Sequence, residues 1–170
     1  GKSTLMNALT GQDVAIVSAE RGTTTDPVQK AMELQGLGAT VIIDTPGLDD
    51  NTVLGGERMA RTARSLDSTD IAIVLFTEAE SQSEYKIVEE CRVREIPVIA
   101  VVSQVDRLDN ADVIAANIER RTTLRPISVS ATTGEGIDEL LSRIVATGKQ
   151  EERLITEGFC QAGDCVLLVM

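Results

Sequence analysis

The residue types able to do chemistry start at the first position. Gly1-Lys2-Ser3-Thr4 runs directly into a helical pattern over Lys2–Leu9 and matches the end of the phosphate loop G-x-x-x-x-G-K-[ST]. A helix N-terminus offers unpaired N–H groups and partial positive charge to a phosphate. Lys2 is then expected to reach the β- and γ-phosphates and the Ser3 hydroxyl to ligate magnesium, with Gly1 and Thr4 lining the loop. Asp44-Thr45-Pro46-Gly47 follows the β-branched run Val41-Ile42-Ile43. At a strand end, Asp44 can hold a magnesium-bound water while the Gly47 N–H meets a γ-phosphate. Between the two lies Gly22-Thr23-Thr24-Thr25-Asp26, a loop of hydroxyls from which one threonine can complete the oxygen shell of the magnesium. Thr24 is the expected ligand, with Thr23 and Thr25 as the alternatives.

A second group of residues suits a base. Asp106 follows the apolar run Val98–Val102 within Ser103-Gln104-Val105-Asp106. Guanine presents N1–H and N2–H donors where adenine does not, so a carboxylate at a strand end discriminates between them by about 1.5–3 kcal/mol. Ser130-Ala131-Thr132 comes after another short strand and before Gly134-Glu135-Gly136. A backbone N–H there can meet guanine O6, because small side chains let the backbone come close.

These residues need elements to hold them. Short β-branched runs alternate with amphipathic stretches, which predicts a parallel sheet flanked by helices. Helices are expected over Lys2–Leu9, Gly56–Leu66, Ser81–Arg94, Ala111–Arg120 and Ile137–Val145, and strands over Val28–Leu34, Thr40–Asp44, Ile71–Phe76, Val98–Val102 and Pro126–Val129. The Gln35–Ala39 link is too short for a crossover, so the first two strands should pair antiparallel at an edge. The fold class expected is a three-layer α/β P-loop NTPase, mostly parallel with one antiparallel edge strand and its first strand truncated before Gly1. Residues 1–150 form the expected nucleotide-binding domain. Residues 151–170 read as a linker and the start of a following domain.

Composition narrows the chemistry. There is no histidine, which removes Ser-His-Asp triads and histidine-ligated metals from these 170 residues. Cys91, Cys160 and Cys165 form no C-x-x-C pair and suit a reduced, cytoplasmic thiol set. With 27 acidic residues against 16 basic ones, the net charge of −11 argues against nucleic acid as a partner, and no apolar run approaches the ~20 residues of a membrane span.

The order of these motifs resembles the Era, EngA and MnmE class of GTPases. Within it, Gly22–Leu34 and Gly47-Leu48-Asp49-Asp50 resemble the GTPase domain of the HydF family of FeFe-hydrogenase maturation factors. The resemblance implies GTP and GDP as ligands with Mg²⁺, and a K⁺ ion held partly by a phosphate-loop asparagine that would stand before Gly1. It also implies a cytoplasmic switch with hydrogenase and other maturation proteins as partners, and a homodimer formed through a downstream domain. Ser103 and Gln104 depart from that class's N-K-x-D pattern, which removes an aliphatic stem and a positive charge from over the base. Leu48 occupies the place of a water-orienting glutamine, so slow intrinsic hydrolysis is expected and no catalytic residue is assigned. Asp49, Asp50, Glu57 and Arg58 are the nearby candidates for positioning the water. Two alternatives share the same nucleotide motifs: a ribosome-assembly or tRNA-modification GTPase, and a nucleotide-sensing module with little turnover.

Overall fold

The computed structural model describes residues 2–11, 16–20, 28–34, 36–44, 66–156 and 165–169. In chain order these form α1 (Lys2–Thr10), β1 (Ile16–Glu20), β2 (Val28–Leu34), β3 (Gly38–Asp44), β4 (Ile71–Phe76), α2 (Gln82–Val93), β5 (Val98–Ser103), α3 (Ala111–Thr122), β6 (Ile127–Val129), α4 (Ile137–Thr156) and β7 (Cys165–Val169). These strands make one sheet in the order β1-β2-β3-β7-β4-β5-β6. From β3 to β6 every pairing is parallel, whereas β2 is antiparallel to both of its neighbours.

The side-chain alternation of β4 explains the layering. Ile71, Ile73 and Leu75 share one apolar cluster with Leu5, Met6 and Leu9 of α1 and Ile137, Leu140 and Ile144 of α4. Ala72, Val74 and Phe76 face the opposite cluster, formed with Ile87, Val88 and Cys91 of α2 and Ile114 and Ile118 of α3. A strand buried on both faces must be a continuous apolar run, and Ile71–Phe76 is one. Each helix offers it one stripe at helical spacing. The charges at the helix ends agree with this arrangement: Glu84 opens α2 and Arg92 closes it, and Asp112 opens α3 while Arg120 and Arg121 close it.

Three features depart from the sequence expectation. The antiparallel strand β2 lies one position inside the sheet, because Ile16–Glu20 adds a further edge strand that the reading of periodicity omits. Helix α4 runs on past Val145 to Thr156, since the polar stretch after it is rich in good helix formers and has no proline. Gly148 within α4 is where Leu37 of the β2–β3 hairpin packs, and a Cβ there would meet Leu37 Cδ1 at 2.3 Å. The third departure concerns Cys165–Val169. Instead of standing apart from the nucleotide-binding domain, this strand lies at the centre of the sheet, pairing Thr40–Asp44 of β3 on one side and Ile71–Ile73 of β4 on the other. The apolar run Val166-Leu167-Leu168-Val169 suits a central strand, but no local pattern announces which neighbours a strand so late in sequence will take. The expected helix over Gly56–Leu66 lies outside the described residues except for its last position.

Cys91 is fully buried in the cluster between α2 and the sheet. Burial, the largest effect, pushes its thiol up from 9.0 to about 11. Peptide mapping after treatment with iodoacetamide at pH 8 is expected to find Cys91 unmodified in the folded chain and alkylated in denaturant. Above pH 9 the unfolded thiol ionises while the folded one stays protonated, so this group's stabilising contribution fades between about pH 9 and 11. Alkaline unfolding of Cys91→Ala, followed by circular dichroism, should be correspondingly less steep.

Candidate functional site

Because β3, β7, β4, β5 and β6 run parallel, their C-terminal ends share one edge of the sheet, which is where parallel sheets place ligands. Asp44 ends β3 opposite Val169, and Ser103 ends β5 opposite Val129 at the end of β6. Helix α1 is clamped beneath by Leu5, Met6 and Leu9, each nearly fully buried, so its first turn is held at a fixed position. Ser3 and Thr4 are exposed there, Lys2 is half-buried, and no acidic residue occupies that turn to compete for an anion.

A small cleft, open to solvent, joins these elements. It is lined by Thr4 and Leu5 of α1, Ser103, Gln104, Asp106 and Arg107 at the end of β5, and Val129, Ala131 and Thr132 at the end of β6. Four of the residues expected from sequence therefore meet in one place: Thr4, Asp106, Ala131 and Thr132. Ser130 sits directly behind them, fully buried. Its Oγ donates to Asp106 Oδ1 at 2.6 Å, a short charge-assisted bond that fixes the carboxylate by one oxygen and leaves the other for a ligand. Lys2 and Ser3 are not among the described residues that line the cleft, and the side chain of Asp44 lies outside what the structure describes. Gly1, Thr24 and Gly47, together with Leu48, Asp49, Asp50, Glu57 and Arg58, lie outside the described residues.

The chain around Asp106 is bent to present it. Gln104 has φ 61° and ψ 37°, a left-handed conformation at the mouth of a 3-10 turn over Val105–Arg107, and its carbonyl accepts from the Arg107 N–H at 2.9 Å. After β6 the backbone closes a second turn. The Ser130 N–H donates to Glu135 O and the Gly134 N–H to Ser130 O, both at 2.9 Å, and the Thr133 N–H donates to Ser130 Oγ at 3.2 Å. Gly136 leads this turn into α4 with φ 72°, and a Cβ on it would stand 2.0 Å from Ser128 O. Gly136→Ala is expected to lower stability by about 2–3 kcal/mol, read as a fall in the urea midpoint at unchanged slope, since both strain and overlap with backbone oppose it.

Sequence reasoning did not assign Arg107, Leu5 or Val129 to the site. Arg107 stands directly after the carboxylate in a short turn, which is the signal that could have marked it. Among the described residues no three carboxylate, cysteine or histidine side chains gather to hold a metal ion. Ser3, exposed in the first turn of α1, carries a hydroxyl of the kind that suits a nucleotide-borne magnesium. No helix among the described residues is long and apolar enough to cross a membrane.

Comparison with known proteins agrees with this geometry. Residues 1–104 match the family described as 50S ribosome-binding GTPase. The chain is 34% identical over 148 residues to the tRNA modification GTPase MnmE of Xanthomonas euvesicatoria, covering 86% of this chain and 31% of that protein. It is 35% identical over 146 residues to MnmE of Methylococcus capsulatus, covering 85% and 31%. Among solved structures, Era of Aquifex aeolicus bound to GDP·AlF4⁻ superposes with a TM-score of 0.67 at 27% identity, over 86% of this chain and 52% of that one. The G domain of the FeoB iron transporter of T. maritima gives 0.58 at 25% identity, over 86% and 91%. The sheet order, the cleft and these likenesses define a Ras-like P-loop GTPase domain. The chain belongs to the 50S ribosome-binding GTPase family. It spans about a third of the length of the curated relatives it matches. Those relatives favour the tRNA-modification and ribosome-assembly alternative over the hydrogenase-maturation role expected from Gly22–Leu34.

Proposed function

We propose that this chain is the GTP-hydrolysing switch of a protein of the tRNA-modification or ribosome-assembly type. The observation that carries the reading is the meeting of Thr4, at the start of α1, with Asp106, Ala131 and Thr132 in one cleft at the C-terminal edge of the sheet. Gly1, Lys2, Ser3 and Thr4 bind the phosphates, with the Lys2 ammonium on the β- and γ-groups and the Ser3 hydroxyl on Mg²⁺. Thr24 would give a second oxygen to the magnesium and Asp44 would hold it through water, while the Gly47 N–H would sense the γ-phosphate. Asp106 reads guanine N1–H and N2–H. Ser130 holds Asp106 in place, while backbone N–H groups of Ala131 and Thr132 face O6. Loss of the γ-phosphate releases the loops carrying Thr24 and Gly47.

With Leu48 after Gly47, no side chain at that place orients water, so hydrolysis by the chain alone is slow. A potassium ion held in the phosphate loop would supply the missing positive charge. Single-turnover hydrolysis of GTP and ATP, in KCl and in NaCl, tests the reading. It expects GTP to be cleaved in preference to ATP and faster in KCl. Equal cleavage of both nucleotides would refute the base assignment, and no cleavage alongside tight binding would make the chain a sensing module.

One observation favours a second reading, hydrogenase maturation: the wording of Gly22–Leu34 and Gly47–Asp50. Stimulation of GTP turnover in the longer protein by apo-hydrogenase and not by tRNA would support it, and the reverse would remove it.

A further inference from the structure

A purine held at one edge by Asp106 needs something to cover its ring, and among the described residues that line the cleft none is aromatic. The chain has only one tyrosine and two phenylalanines. Tyr85 and Phe76 pack against each other with ring centroids 5.2 Å apart, away from the cleft lining, and Phe159 lies outside the described residues. Arg107 is the sole cation among the described residues that line the cleft. It is exposed, and among the described residues its guanidinium has neither an ion-pair nor a hydrogen-bond partner, unlike Arg92 and Arg94, which are held by Glu89 and Glu90. Its backbone is fixed in the turn by the bond to Gln104 O. An uncommitted planar cation beside the base-reading carboxylate is suited to lie over a purine face.

We propose that Arg107 is an affinity-determining residue of the nucleotide site, laying its guanidinium and stem across the guanine ring. The inference rests on the guanine-nucleotide reading above. It assigns to Arg107 the covering role that the uncharged, shorter Gln104 does not supply at its left-handed position.

The test is equilibrium binding of GDP and GMP to the parent chain, Arg107→Ala, and Arg107→Ala combined with Gln104→Lys, at low and high salt. Arg107→Ala should weaken GDP and GMP equally, by about 5–20-fold, with little dependence on salt. The added lysine should return both affinities to within about threefold of the parent, which a purely structural role for Arg107 would not allow. Thermal melts establish that the variants are folded, as the exposure of Arg107 leads one to expect. An affinity for Arg107→Ala within about twofold of the parent overturns the proposal. So does a loss confined to GDP and abolished by salt, which would place the guanidinium on phosphate, and so does failure of the lysine to restore binding. If the folded parent chain binds neither nucleotide, the guanine reading itself fails and this inference with it. A parent that binds, with an unaffected Arg107→Ala, removes this inference alone.

Discussion

A chain ending at Thr156 is expected to show no cooperative thermal transition. The strand thereby removed, Cys165–Val169, is the element that joins β3 to β4, and no pairing between those two strands exists among the described residues. Its removal splits one sheet into a β1-β2-β3 piece and a β4-β5-β6 piece. It also leaves the facing backbone groups of Thr40–Asp44 and Ile71–Ile73 unpaired, beside Ile42, Ile71 and Ile73, which are all but inaccessible to water. Each buried polar group so orphaned costs about 1–3 kcal/mol. A handful of them equals the ~5–15 kcal/mol by which a domain is stable. Circular dichroism should still report helix from α2, α3 and α4, with a broad, non-sigmoidal melt and dye binding to exposed apolar surface. A sharp transition within about 5 °C of the parent would show that the two halves hold together without β7.

The second large effect is expected at Asp106. Its Oδ1 accepts from Ser130 Oγ at 2.6 Å. In Asp106→Asn the amide oxygen can keep that bond, which turns the NH₂ group toward the position that Oδ2 now holds. A donor then opposes the N1–H and N2–H of guanine, and loss of the charge-assisted pair costs about 1.5–3 kcal/mol, or roughly 10–100-fold in GDP affinity. Xanthine carries a carbonyl at C2 where guanine carries an amine, so the same substitution should improve binding of xanthosine diphosphate. Competition between the two nucleotides measures the exchange directly, and an unchanged GDP-to-XDP ratio in a folded variant would show that Asp106 does not read the base. Asp106→Ala is a harsher change. It leaves the fully buried Ser130 hydroxyl without its acceptor, so lost affinity should be accompanied by lost stability.

These two predictions differ in how far they could be drawn from sequence. Asp106 was marked by its own neighbourhood: a carboxylate just past a β-branched run, with Ser130-Ala131-Thr132 just past another. Parallel strands deliver the turns after their C-terminal ends to a common edge, so the convergence of those turns with Thr4 was legible from period and order alone. The central strands were legible for a similar reason. Ile71–Phe76 is an unbroken apolar run, which only a strand covered on both faces can satisfy, and its bounds in the structure match those expected.

The contribution of sequence by itself is therefore local: which segments are strands and helices, and which side chains stand at their ends. Tertiary structure alone decided three things. It set Cys165–Val169 between β3 and β4, because strand pairing across a long loop is governed by which slot buries the apolar run and not by any neighbouring residue. It packed Leu37, from a distant hairpin, against Gly148 of α4. It placed Arg107 in the cleft beside Asp106 through a 3-10 turn entered by a left-handed Gln104. A residue's type fixes what chemistry its side chain can do, whereas its neighbours depend on contacts between segments far apart in the chain, and only the folded arrangement brings those together.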